Sequence, residues 1–168
     1  VEARRAERAA RRRAELDDAF DAGVPGRGIV VLSWIATAAL CLLTAAAVVA
    51  PDEVIAVFFA FAMGSFLVGS ALLAVDVVMA AARSRQDAMG IGGLFFLAGS
   101  APRAVQVQLN LSLGLAVVVA VLGAALRPFT PLAFGVLAPV LQLACSGLWG
   151  VRHGHFAPRG PLDEAAAP

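Results

Sequence analysis

Four stretches of this chain, residues 28–51, 54–75, 104–126 and 128–151, contain no charged side chain. Each is longer than the about 20 apolar residues that a helix needs to cross roughly 30 Å of bilayer hydrocarbon. Spans of this length use over half of a chain that is 60% hydrophobic, well above the about 45–50% of a soluble domain. The pattern predicts an all-α polytopic membrane protein with four transmembrane helices, at about 28–50, 54–82, 104–126 and 131–151. Residues 1–27 and 152–168 read as tails and 83–103 as a connector. The single membrane domain, 28–151, leaves no room for a second folded unit.

The 13 basic residues are all Arg, and their distribution predicts an orientation. Seven, from Arg4 to Arg27, precede the first span. Arg83, Arg85 and Arg103 lie between the second and third, and Arg152 and Arg159 follow the fourth. Only Arg127 falls on the other side. Basic residues collect in cytoplasmic loops near span ends, so both termini and the connector are expected in the cytoplasm. The turns at 51–53 and 127–131 are short, which predicts two tight helical hairpins facing outward. The first apolar run exceeds the 7–15 residues of a leader's hydrophobic region and reads as a retained span. An Arg- and Ala-rich chain without Lys fits a bacterial genome of high G+C content and hence an inner-membrane location.

Residues 1–22 are rich in the good helix formers Ala, Arg and Glu and read as helix. The first half is basic and the second acidic (Glu15, Asp17, Asp18, Asp21). This tail either sets topology as a solvated segment or binds anionic lipid through its arginines. The connector turns apolar after Asp87, and its uncharged run, 88–102, is too short for a relaxed span. Either it re-enters the membrane under cover of protein, or Leu94 to Leu97 dip into the interface.

Between helices in lipid, packing relies on small residues and polar contacts. Three stripes fit that role: Ala60, Gly64, Ser65 and Gly69 in span two; Ser112, Ala116, Ala120 and Ala124 in span three; Ala138, Gln142, Ser146 and Gly150 in span four. They are expected to face the bundle interior or a homo-oligomer interface. Pro139 should kink span four, and Trp34 and Trp149 are placed as interfacial anchors.

Few side chains can carry chemistry. Asp76 is the one acid inside a long apolar stretch. It reads as an interfacial acid paired with Arg83, Arg85 or Arg103, with ion or proton handling as the alternative. Gln106 and Asn110 share a helix face at the depth of Asp76, and Gln142 comes toward them from span four, so these four form a candidate polar cluster. Cys41 and Cys145 lack metal or redox spacing. His153 and His155 are too few ligands for a metal site, so no metal and no cofactor are expected. No nucleophile–base–acid arrangement is present. The expectation is therefore a non-enzymatic scaffold or accessory subunit that binds a membrane or cytoplasmic partner, with no nucleic acid. The alternative is a small oligomeric transporter or channel built on Asp76, Gln106, Asn110 and Gln142.

Overall fold

The computed structural model describes residues 2–21 and 23–158. Arg159 and the rest of the C-terminal tail lie outside the described residues, as do the side chains of Arg5 and Arg8. The described chain is all helix and connecting segments: α1 (Glu2–Ala19), α2 (Arg27–Val49), α3 (Pro51–Arg83), α4 (Ile91–Phe95), α5 (Arg103–Leu126), a 3-10 helix (Pro131–Leu137) and α6 (Val140–His153). Four segments are long and apolar enough to cross a membrane: Arg27–Val49, Pro51–Arg83, Arg103–Leu126 and Pro131–His153. This is a multi-pass membrane protein.

Local chemistry sets several boundaries. Ala50 alone separates α2 from α3. Pro51 opens α3 with Asp52 and Glu53 in its first turn, and Arg83 closes it; proline suits a first turn, and the charges complement the helix dipole. The fourth span is not a kinked α-helix. Pro139 lacks the N–H that would bond back one turn, so Ala138 bonds Gly135 and Leu141 bonds Ala138 in the tighter 3-10 pattern. α6 begins only after Pro139.

Contacts along the helices reveal their directions. Ser33 meets Ser112 and Val48 meets Arg127, both at an offset of 79 residues, and Thr44 meets Gly123 between them. A constant offset means that α2 and α5 run parallel. Phe58 meets Gly135, Gly69 meets Leu141 and Asp76 meets Gly147, so α3 runs parallel to the fourth span. The most extensive packing joins α3 with α6 and α2 with α5, rather than helices consecutive in the chain.

The central element is α6. It is buried on almost every side, whereas α3 buries mainly Phe58, Ala62, Ser65, Gly69 and Asp76 and turns Leu67, Val68 and Val78 outward. The small stripes explain the arrangement. Ser112, Ala116 and Ala120 face inward, joined by Gly123 rather than the expected Ala124. Ala138, Gln142, Ser146 and Gly150 are all buried. In span two Ser65 and Gly69 are buried while Ala60 and Gly64 are exposed. A Cβ on Gly69 would lie 2.6 Å from the backbone nitrogen of Leu141, so only glycine lets α3 and α6 approach this closely.

The connector folds onto the end of α6. Its short helix α4 buries Leu94, and Leu97 and Ala101 follow into the core. A side chain at Gly150 would collide with the carbonyl of Leu94. The C-terminal segment clasps the connector from the other side: Ala88 donates to Ala157 O at 2.8 Å, and His155 donates to Ser100 O at 2.8 Å. Protein thus covers Leu94 and Leu97 of the connector, while Ile91 and Phe96 remain exposed.

α1 also docks. Leu16 is buried, and Phe20 lies 6.0 Å from the ring of Trp149. Arg12 donates to Gly99 O at 2.9 Å and to His155 O at 2.6 Å, tying the tail to the connector and the C-terminal segment. Trp149 is no interfacial anchor. It is fully buried, and its indole N–H donates to Pro25 O at 3.1 Å.

Candidate functional site

The interior of the arginine-rich half is polar. Ser33 Oγ and Ser112 Oγ are 2.7 Å apart, and Thr37 Oγ1 lies 2.9 Å from Ser112 Oγ. Thr37 also donates to Ser33 O at 2.9 Å, in the manner of a helix threonine bonding back one turn. The Gln142 amide donates to Thr37 Oγ1 at 3.2 Å, and Ser146 donates to Gln142 O at 3.2 Å. All five residues are buried. The network thus joins α2, α5 and α6 through side chains that each helix turns inward with its small residues.

Asp76 stands beside this network and is 0% exposed. Neither of its carboxyl oxygens has a hydrogen-bond partner. It is held against α6 at Gly147, where a Cβ would lie 2.7 Å from Asp76 Oδ2 and 2.8 Å from the ring of Phe95. Glycine at that position leaves the space next to the carboxyl, and the aromatic ring of α4 borders it.

The expected ion pair is not formed. Arg83 bonds the Asp87 carboxylate at 2.7 Å and the carbonyls of Val151 and Gly154 at 2.8 and 2.9 Å. Its guanidinium also sits 5.4 Å from the centre of the Phe156 ring. Arg83 therefore clamps the end of α3 to the end of α6. One acid four residues along the chain and two carbonyl groups at the helix end outcompete a carboxyl about 10 Å away along the helix. Arg85 is exposed. Arg103 is exposed and lines a cavity of about 480 Å³ together with Arg12, Arg13 and Asp17.

The four expected cluster residues also divide. Asp76 and Gln142 are interior. Gln106 and Asn110 instead donate to Phe96 O, at 3.2 and 3.0 Å, and hold the connector to α5. Their shared helix face was legible, but which neighbour that face meets was not. Sequence reading missed Ser33 and Thr37 altogether. Their spacing of four, in register with the buried Ala36 and Leu40, was the available signal, obscured by the many small residues of α2. It also missed Leu16 and Phe20, whose spacing of four marks the docked face of α1.

A second class of unpartnered atom completes the site. The buried side-chain atoms without a hydrogen-bond partner, among the described residues, are both oxygens of Asp76, Gln142 Oε1 and Thr44 Oγ1. Every one is an oxygen. Counted along their helices at 1.5 Å per residue, they stand about 10, 16 and 25 Å from the arginine-rich ends of α3, α6 and α2. Burying such groups unpaired is costly. No group of three or more potential metal-ligating His, Cys, Asp or Glu occurs among the described residues.

Fold and interior together define a multi-pass helical bundle with an internal polar hydrogen-bond network. Comparison with protein-family models, with curated proteins and with solved structures gives no match.

Proposed function

We propose that this protein is a small non-enzymatic transporter or channel for a proton or a small inorganic cation, with Asp76 as its ion-handling carboxyl. The observation that carries this reading is the complete burial of Asp76 with both oxygens unpartnered. Such a group costs a scaffold stability, whereas intramembrane carboxyls recur along ion and proton pathways. A cationic cargo is supported by the carboxyl itself, Asp76 being the one buried charged residue among the described residues. Ser33, Thr37, Ser112 and Gln142 supply the polar lining beyond Asp76, and Thr44 continues it toward the far side. The scaffold reading rests on the charged exterior alone, which offers no comparable feature.

In this reading the arginine-rich end faces the cytoplasm of a bacterial inner membrane, and Asp76 lies in the inner third of the bilayer. The protein acts as a small oligomer, and Phe95 separates Asp76 from the cytoplasmic water. The test is flux through purified protein in liposomes, read with pH- and cation-sensitive dyes under an imposed gradient. The unmutated protein should pass a proton or an alkali cation, and Asp76→Asn should abolish that flux while leaving the protein folded. Absence of flux for every cation in the panel would remove the proposal.

A further inference from the structure

α2 and α5 run parallel and start together, and a lateral groove of about 790 Å³ opens between their first turns. Its walls include Val31, Trp34, Ile35 and Val105, and Arg27 at its mouth is the one charged residue among those lining it. We infer that this groove is a binding site for one anionic phospholipid, with Arg27 on the headgroup phosphate and the α2 wall along an acyl chain. The inference is independent of the transport reading.

Three features favour this occupant. The first is charge. Arg27 is exposed and makes no hydrogen bond or ion pair among the described residues, and no acid lines the groove. Its field is reinforced by the first turns of two parallel helices, neither of which has a side-chain cap, so their amino-terminal dipoles add. The second is the position of polar donors in an otherwise apolar surface. Gln108 is exposed and Trp34 is half-buried, and neither donates a side-chain hydrogen bond among the described residues. They sit about 8 and 10 Å along their helices from the charged end, below Arg27 on the same groove. The third is the wall itself. Val31 and Ile35 are 49% and 61% exposed, a surface suited to a hydrocarbon chain and not to water. This places lipid recognition at Arg27 rather than along the run from Arg4 to Arg13.

The test is lipid retention. The full chain is released from micelles containing equal phosphatidylcholine and phosphatidylglycerol, and bound lipid is counted by native mass spectrometry. One phosphatidylglycerol should be retained in preference to phosphatidylcholine. Arg27→Gln should cut that preference about fivefold, the effect of one basic side chain near a lipid surface. Ala38→Trp, on the exposed upper wall, should fill the groove and reduce retention of both lipids. Arg13→Gln and Arg103→Gln, which line the neighbouring cavity, should leave retention unchanged. Equal retention of the two lipids by the unmutated protein would overturn the inference. So would a preference that survives Arg27→Gln or falls with Arg13→Gln or Arg103→Gln, or a total lipid retention that Ala38→Trp leaves unchanged.

Discussion

In the half of the bundle away from most of the arginines, Phe58, Ala62, Ala116, Ala120 and Leu132 fill most of the interior with carbon, beside the buried hydroxyl of Thr44. In the half nearer them, Ser33, Thr37, Ser112, Gln142 and Asp76 occupy equivalent central positions. Both halves are closed by the same helices. The first is held by shape: a Cβ on Gly135 would lie 2.8 Å from Phe58, so the ring occupies a space that glycine leaves. The second is held by hydrogen bonds that satisfy most, but not all, of what it buries. The difference separates two kinds of residue. Carbon packing in the first half contributes stability. The unpartnered carboxyl in the second half costs stability.

That contrast can be broken by substitution. The largest effect is expected from Phe58→Ala, which should destabilise the fold by about 3 kcal/mol through the cavity it leaves. The measure is unfolding in mixed micelles of increasing sodium dodecyl sulfate content. Below its melting temperature this variant should retain its flux; loss of flux in folded protein would erase the distinction between the halves. Next comes Asp76→Val, which should stabilise the protein by about 1–3 kcal/mol, because an unsatisfied buried polar group is removed. A destabilised Asp76→Val would mean that the carboxyl has a structural partner after all. The smallest effect should follow Ser112→Ala. It removes the bonds to Ser33 and Thr37, at about 0.6 kcal/mol for each contact in a membrane bundle, for a loss of about 1 kcal/mol. Flux should fall in this variant by far more than its stability loss accounts for. Equal flux would take Ser112 out of the pathway and confine the functional half to Asp76.

Much of this architecture was legible before any coordinates. The charge-free runs fixed the number of spans, because length and hydropathy alone decide what a bilayer accepts. The four-residue stripes of Ser112, Ala116 and Ala120, and of Gln142, Ser146 and Gly150, identified the inward faces, because a helix repeats its face at that spacing. The site was less legible. Asp76 and Gln142 stood out as polar residues in apolar runs, but Ser33 and Thr37 did not, since serine and threonine are common in such helices. Gln106 and Asn110 stood out equally and hold the connector instead.

What the sequence determined by itself was therefore local and one-dimensional: four apolar helices, their lengths, their inward stripes and the asymmetry of their arginines. Tertiary structure alone decided which stripes meet. It placed α2 beside α5 and α3 beside α6, buried Trp149, folded the connector over α6 and turned Arg83 away from Asp76. The physical reason is that partner choice depends on distances between residues far apart in the chain. Arg83 had several acceptors within reach of the sequence, and only the docking of α3 on α6, through Gly69 and Gly147, brought Val151 and Gly154 to it. The same docking left Asp76 buried with neither oxygen hydrogen-bonded.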